Sequence, residues 1–164
     1  ENEIIGFFNE QMEFGARALG NRSILANPCN SNIQDIINSK IKRREMFRPF
    51  APAIISEKKN EWFNNSFSNP YMSAVEKINE KKKHLIPAVT HIDGTGRVQT
   101  VTKEMNKDFH LLIEKFHKLS NVPILLNTSF NENEPIVMDP EHAINCFLRT
   151  KMDVLVLNKY VIRR

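Results

Sequence analysis

Cysteine and long apolar runs are scarce in this sequence. Its two cysteines, Cys29 and Cys146, lie far apart without the spacing of metal ligands, so neither a disulfide framework nor a zinc site is indicated. No apolar run approaches the roughly 20 residues that cross a bilayer, and no signal peptide is visible. These absences exclude disulfide-rich secreted proteins and membrane-spanning proteins, and they predict a cytoplasmic protein without a membrane partner.

A strong charge of one sign is missing as well. The 164 residues contain 23 Lys and Arg against 19 Asp and Glu, a net charge of +4. This mild excess suits an anionic ligand better than a dedicated nucleic-acid surface, so nucleic acid is not the expected partner. A hydrophobic content of 41% is enough for one domain with a proper core. The sequence has no P-loop motif for binding a nucleotide.

Apolar periodicity predicts a mixture of strands and helices. Strands are expected at residues 4–8, 23–26, 53–56, 71–75, 85–91, 98–101, 122–126, 154–157 and 160–162. Helices are expected at about residues 31–42, 58–63 and 106–120, with a fourth that begins at Asp139-Pro140. Because the two element types do not alternate strictly, the fold class is α+β (mixed α/β), with a single domain over residues 1–164.

The segment from Glu13 to Ser23 combines glycines with arginines. Gly15 and Gly20 bracket Arg17, and Arg22 follows. Glycine permits a positive φ or a close backbone approach, and a guanidinium can bind two carboxylate or phosphate oxygens at once. The segment is therefore typical of an anion-binding loop, although a tight turn with surface arginines explains the same pattern.

Three further segments carry polar groups beside turns. The helix that ends near Lys42 closes with basic residues, of which at least one can turn inward towards a phosphate, or all can be solvated. Gly94–Arg97 offers N–H groups, the Thr95 hydroxyl and a guanidinium, as an anion nest or as a plain hairpin turn. Residues 127–131 follow a predicted core strand, where ligands bind in open sheets or where an ordinary turn occurs.

Some side chains are expected to be structural. Trp62, Phe63 and Phe67 fit core positions under a loop, and His110 falls outside the apolar stripe of its helix and should lie at the surface. His91 stands beside Asp93 and invites a catalytic interpretation, yet a histidine at a strand end is more often a hydrogen-bonded structural residue.

Several strings of this sequence together resemble the C-terminal part of the O-carbamoyltransferases, in consistent order along nearly the whole chain. That family includes nodulation protein U and the carbamoyltransferases of cephamycin and aminoglycoside biosynthesis. The strings are Met-Glu-Phe-Gly-Ala-Arg-Ala-Leu-Gly-Asn-Arg-Ser at 12–23, Phe-Arg-Pro-Phe-Ala-Pro at 47–52, Pro-Ala-Val-Thr-His-Ile-Asp-Gly-Thr-Gly-Arg-Val-Gln-Thr-Val at 87–101, Asn-Thr-Ser-Phe-Asn at 127–131, Glu-Pro-Ile-Val at 134–137 and Cys-Phe-Leu-Arg-Thr at 146–150.

The resemblance implies a domain with the YrdC-like fold, a twisted mixed sheet packed with helices. Such a domain joins carbamoyl phosphate to ATP, with Mg²⁺, and gives carbamoyl-adenylate and pyrophosphate. A Kae1-like domain, expected before Glu1 in a longer polypeptide and holding Fe²⁺, then transfers the carbamoyl group to an acceptor hydroxyl. The acceptor and the oligomeric state are left open.

The resemblance also implies site residues. Arg17, Lys42, Arg97 and Ser129 match the catalytic set, with no protein ligand for a metal. Nucleotide-binding positions are expected at Asn127, Arg22, Arg48 and Thr95, although Arg22 and Arg48 can equally brace the loops. Two other classes stay open, an RNA- or nucleotide-binding module and a non-catalytic docking domain. Steep salt dependence of RNA binding would favour the first, and ATP binding without turnover the second.

Overall fold

A seven-stranded mixed sheet forms the centre of the protein in a computed structural model that describes residues 3–164. Its strands are β1 (Ile5–Phe8), β2 (Arg22–Ala26), β3 (Ala51–Ile55), β6 (Gln99–Val101), β7 (Ile124–Ser129), β8 (Val154–Leu157) and β9 (Tyr160–Arg163), and a separate ribbon pairs β4 (Glu76–Lys77) with β5 (Thr95–Gly96). The order is β6-β3-β7-β2-β1-β8-β9. Strands β3 and β6, and β1 and β8, run parallel, and the other neighbours are antiparallel. Residues 1 and 2 of the predicted domain lie outside the described residues.

Residues 3–164 contain four α-helices, each of which contributes side chains to the apolar cores. They are α1 (Ile33–Ile37), which continues as a π-helical turn over Asn38–Lys42, α2 (Lys59–Trp62), α3 (Lys107–Ser120) and α4 (Pro140–Arg149). Helix α3 begins where the Asn106 side chain accepts a hydrogen bond from the Phe109 N–H, and it ends at Asn121 with a φ of 59°. Asp139 caps α4 in the same way. None of the helices within residues 3–164 is long and apolar enough to cross a membrane.

The sheet has an apolar core on each face. Ile33 and Ile37 of α1 and Phe147 of α4 belong to the core on one face. Phe109 and Ile113 of α3 belong to the core on the other. Strand β7 serves both, because Ile124 and Leu126 lie in the first core and Leu125 in the second. Its last three residues, 127–129, are polar, so the central strand leaves both cores and ends at a polar edge.

The α+β fold class and most of the predicted elements are confirmed, but two predicted strands are wrong. Residues 71–75 form a loop in which Met72 has a φ of 55°. Residues 85–91 contain 3₁₀ turns instead of a strand, because Pro87 has no N–H for a ladder and its fixed φ suits the first position of a helical turn. The apolar run that imitates a strand is explained by Ile86 and Val89, which are fully buried in the first core.

Two side-chain predictions are also wrong. His110 is 2% exposed, and its Nε2 lies 3.1 Å from the Glu57 carboxylate, so a partner outside the helix offsets its burial. Phe67 is 75% exposed, whereas Trp62 and Phe63 are buried as expected. Both cysteines are free, Cys29 at the surface and Cys146 in the core.

Candidate functional site

The glycine–arginine loop is held by a carboxylate that lies at its start. Oε1 of Glu13 accepts hydrogen bonds from the backbone N–H groups of Leu19, Asn21 and Arg22, at 2.6, 2.7 and 3.3 Å. Gly15 and Gly20 have φ values of +125° and +114°, which only glycine adopts freely. The loop is thereby fixed at both ends, with Arg17 exposed between the two glycines.

A small cleft opens between this loop and the polar end of β7. Its volume is about 110 Å³. The polar side chains that line it are Arg17, Arg44, Arg97, Asn127, Thr128 and Ser129. Phe50 and Met72 form apolar parts of the wall, and none of the described residues that line the cleft is acidic. Three arginines therefore line a small volume that no acidic residue among the described ones lines.

Each arginine reaches the cleft from a different segment. Arg44 follows the π-helical turn, its Nε donates to Oδ1 of Asn38 at 2.8 Å, and its guanidinium lies over the ring of Phe50 at 4.9 Å from the centroid. Arg97 comes directly after β5. Arg17 lies in the glycine–arginine loop. The cleft is thus built from parts of the chain that only the folded sheet brings together.

The charges in the cleft repel one another. Burial and the neighbouring Arg17 lower the pKa of Arg97. Burial and the nearby cations Arg48 and Arg97 lower the pKa of Arg44, although Glu45 partly opposes them. Arginine stays protonated at neutral pH despite such shifts. An anion in this volume would relieve the repulsion, so the electrostatics favour an anionic ligand.

Two buried polar atoms of the site have no hydrogen-bond partner among the described residues. One is Nε of Arg97, a donor, and the other is Oδ1 of Asn127, an acceptor. The Asn127 amide is oriented by its Nδ2, which donates to the Ala18 carbonyl at 3.1 Å and to Oε1 of Gln99 at 2.8 Å. A buried polar group without a partner is costly, so the residues that line the cleft carry one donor and one acceptor that the described residues leave unsatisfied.

Lys42 lies behind Ser129 and does not line the cleft. Its Nζ donates to oxygens of two residues: Ser129 O at 2.6 Å, Asn131 Oδ1 at 2.7 Å, Asn131 O at 2.8 Å and Ser129 Oγ at 3.2 Å. Burial, with a contribution from Arg44, lowers the pKa of Lys42 to about 7. In this arrangement the ammonium fixes the turn that follows β7.

Three other residues from the sequence prediction lie outside the cleft. Arg48 lines an adjoining hollow of about 280 Å³ and pairs with Glu45 at 3.0 Å. Arg22 is buried at the base of the loop, where it donates to the Asn9 carbonyl at 2.8 Å and stacks on Phe8 at 3.5 Å. Thr95 lies in β5. The structure thus brings Arg17, Arg97, Asn127 and Ser129 together in the cleft, which these three residues do not line.

Comparison with known proteins gives the family. The family model described as Carbamoyltransferase C-terminus matches residues 1–164. The chain belongs to this family. Nodulation protein NolNO of Sinorhizobium fredii is 46% identical over 100% of this chain and 25% of its own length, and nodulation protein NolO of Bradyrhizobium diazoefficiens is 44% identical over 98% and 30%. The 3'-hydroxymethylcephem-O-carbamoyltransferase of Amycolatopsis lactamdurans is 38% identical over 79% of the chain and 24% of its own length.

These matches confirm the resemblance drawn from the sequence strings. Five curated relatives match this carbamoyltransferase C-terminal domain along all or nearly all of its residues. The domain spans about a quarter to a third of the length of each of these relatives.

Some residues of this carbamoyltransferase C-terminal domain were not singled out from the sequence. Arg44 is a member of the basic run after α1, but nothing in the run indicates which member turns inward. Gln99 connects two parts of the site, because its Nε2 donates to the Leu19 carbonyl at 2.8 Å while its Oε1 accepts from Asn127. The alternation of its strand gave no signal for this role. Asn131 belongs to the segment that was singled out, without a separate role.

Proposed function

We propose that this domain binds carbamoyl phosphate and ATP at the arginine cleft and forms carbamoyl-adenylate with release of pyrophosphate. The observation that supports this most is the cluster of Arg17, Arg44 and Arg97 around about 110 Å³ without a lining carboxylate. A relative that is named as an O-carbamoyltransferase supports the group that is transferred. In the longer polypeptide, a Kae1-like domain with Fe²⁺ would carry the carbamoyl group to an acceptor hydroxyl.

The proposed reaction concentrates negative charge. Carbamoyl phosphate first gives carbamate and inorganic phosphate with one water molecule. A carbamate oxygen then attacks the α-phosphorus of ATP, and the bond to pyrophosphate breaks. The protein forms no covalent bond, so its part is to hold two anions in line and to stabilise the charge that develops. Arginines that already line one small cleft suit this task.

The volumes of the cleft and of the adjoining hollow suit different parts of the proposed ligand. The cleft is far smaller than the roughly 300–1,000 Å³ of a typical small-molecule site, so it suits the reacting phosphate and carbamoyl groups. The adjoining hollow of about 280 Å³ shares Arg44, Pro49, Phe50 and Arg97 with the cleft. The rest of a nucleotide can extend into this second space.

Five polar residues of the cleft have a proposed role. Arg17 and Arg97 bind oxygens of the carbamoyl donor and of the phosphates, and Arg44 binds the triphosphate from the side of the hollow. Ser129 and Asn127 form hydrogen bonds with the carbamoyl group or the nucleotide. Lys42 acts through Ser129, whose position it fixes. Mg²⁺ would enter as the complex with ATP, since residues 3–164 contain no cluster of three or more acidic, histidine or cysteine side chains placed to hold a metal.

The test is calorimetric binding of pyrophosphate, followed by pyrophosphate release from Mg-ATP with and without carbamoyl phosphate. We expect Arg97→Gln to lower the rate of release by roughly 10²–10³-fold, as for the loss of one preorganised charge donor. Arg163→Gln is the matched control, because Arg163 is an exposed arginine of β9 that pairs with Glu3 at 2.7 Å. This control should bind and react like the wild type.

The outcomes separate the functional classes. Release that requires carbamoyl phosphate supports the proposal. Anion and ATP binding without any release would support a docking domain instead. Absence of anion binding to the wild type would refute the assignment of the cleft as the site.

A further inference from the structure

Three polar side chains of the turn at residues 91–95 form a hydrogen-bonded chain. Oγ1 of Thr95 donates to Oδ1 of Asp93 at 2.6 Å, and the Thr95 N–H donates to the same oxygen at 3.1 Å. Nδ1 of His91 lies 3.0 Å from Oγ1 of Thr95. The turn is closed by the His91 N–H, which donates to the Thr95 carbonyl at 2.8 Å. His91 is therefore held by hydrogen bonds of both its backbone and its imidazole ring.

The chain determines which ring nitrogen of His91 carries the proton. Hydrogen bonds from the side chain and the backbone of Thr95 lower the pKa of Asp93, so its carboxylate is ionised and can only accept. The single hydroxyl proton of Thr95 therefore points to Asp93. Oγ1 must then accept from Nδ1–H of His91, and Nε2 is left with a free lone pair. Burial lowers the pKa of His91, Asp93 partly opposes this and Arg97 adds to it, so the neutral ring is favoured.

His91 lies next to the arginine cleft. It lines the adjoining hollow together with Arg44, Arg48 and Arg97, the charged groups that face it there, and two of these arginines also line the cleft. Nε2 of His91 forms no hydrogen bond with the described residues. It does not belong to the unpaired side-chain atoms that are fully buried. A histidine with an unpaired ring acceptor and a set of arginine donors thus line the same hollow.

We propose that Nε2 of His91 accepts a hydrogen bond from an N–H or O–H group of the anion that Arg17, Arg44 and Arg97 bind. This inference rests on the proposed function and adds a requirement on the substrate. Guanidinium groups only donate hydrogen bonds. The arginines therefore bind oxygens of the ligand and do not distinguish an amino group from a methyl group. His91 contributes to this distinction as an acceptor, and Thr95 and Asp93 act as positioning residues that fix its tautomer.

Two pairs of ligands distinguish the effect of the ligand's N–H or O–H groups from the effect of its negative charge. Carbamoyl phosphate has an amide NH₂ where acetyl phosphate has a methyl group. ATP has ribose hydroxyls and an adenine amino group, which inorganic triphosphate lacks. The first pair tests the carbamoyl group as the partner of His91, and the second tests the nucleoside.

Calorimetric titration of the 164-residue chain with these four ligands tests the inference. We expect His91→Phe to weaken binding of carbamoyl phosphate or of ATP by about tenfold, the usual worth of one good hydrogen bond. Binding of the matched ligand without the donor should change by less than about twofold. His142→Phe, which removes an exposed histidine of α4, should change none of the four affinities.

Equal losses for both members of each pair, or no loss at all, would overturn the role of His91 while leaving the anion site intact. Failure of the wild type to bind any of the four anions would instead refute the proposed function.

The positioning role of Thr95 has its own readout. Nitrogen-15 NMR of the histidine rings should show His91 protonated on Nδ1 in the wild type. Thr95→Val removes the acceptor of that proton, so we expect protonation to move towards Nε2 and the same ligand selectivity to be lost. Protonation on Nε2 in the wild type would overturn the tautomer assignment, and an unchanged ring in Thr95→Val would overturn the positioning role of Thr95.

Discussion

The buried ion pair between Lys59 and Glu76 fixes one side of the arginine cleft. Nζ of Lys59 lies 2.8 Å from the Glu76 carboxylate, and each side chain is 3% exposed. Glu76 pairs in β4 with Gly96 of β5, directly before Arg97, and the segment that leads to it carries Met72 of the cleft wall. Loss of this pair should therefore affect both the stability of the domain and the position of Arg97.

The expected magnitude follows from burial. Glu76→Leu leaves the Lys59 ammonium buried without a counterion, which costs about 3–5 kcal/mol. In a domain of this size each kcal/mol lowers Tm by roughly 2–4 °C, so Tm should fall by about 6–20 °C. Lys59→Met combined with Glu76→Leu removes both charges and should recover at least about 2 kcal/mol. Recovery should be incomplete, because Lys59 also donates to the carbonyls of Asn65 and Phe67.

The assay is urea and thermal unfolding of the two single variants and the double variant, analysed as a double-mutant cycle. The exposed pair Lys58–Glu61 on the same segment, at 2.8 Å and with side chains 39% and 50% exposed, is the matched control. Glu61→Gln should cost less than about 1 kcal/mol. Additive losses in the Lys59 and Glu76 variants would refute the reasoning, because a coupled buried pair cannot behave additively.

Two further predictions concern stability. Because burial, with Arg44, lowers the pKa of Lys42 to about 7 from 10.5, the unfolded chain holds more protons between these values, and the free energy of unfolding should rise with pH relative to Lys42→Met. Urea titrations at about pH 7 and pH 9 check this, and a flat difference would mean that the surrounding oxygens keep the ammonium charged. Gly20→Ala should cost about 1–3 kcal/mol more than Gly15→Ala in the same assay. A Cβ on Gly20 would lie 2.3 Å from the Phe109 ring, whereas nothing lies within 4 Å at Gly15; equal losses would contradict the packing explanation.

The parts of the fold that depend on local pattern could be predicted from the sequence. Helix α3 has an apolar stripe and polar caps at Asn106 and Asn121, and the structure contains these features. The positive φ values of Gly15 and Gly20 follow from the same kind of local reasoning. The failures occur where an apolar run has a proline inside it, as at Pro87, or where a loop is held by distant partners. In such places tertiary contacts outweigh local preference.

The candidate site could be predicted only as a set of segments. The resemblance of short sequence segments to the family points to Arg17, Arg97 and Ser129. The structure brings these three residues to one cleft. Which basic residue after α1 enters the cleft depends on the π-helical turn and on Asn38, which orients Arg44. The position of Lys42 depends on Ser129, 87 residues away along the chain, and no local pattern contains that contact.

The hydroxyl of Ser129 has a specific orientation in the site. Oγ of Ser129 donates to Oδ1 of Asn131 at 2.7 Å, and it accepts a hydrogen bond from Nζ of Lys42 at 3.2 Å. With its proton committed to Asn131, the Ser129 hydroxyl can accept a hydrogen bond from a ligand in the cleft that Ser129 lines. Two further acceptors have no partner among the described residues: Oδ1 of Asn127, a residue of the cleft, and Nε2 of His91, a residue of the adjoining hollow. The site therefore combines guanidinium donors with several acceptors. A bare phosphate satisfies the donors alone, so a ligand that carries N–H or O–H groups beside its phosphate oxygens fits this arrangement better than any simple inorganic anion.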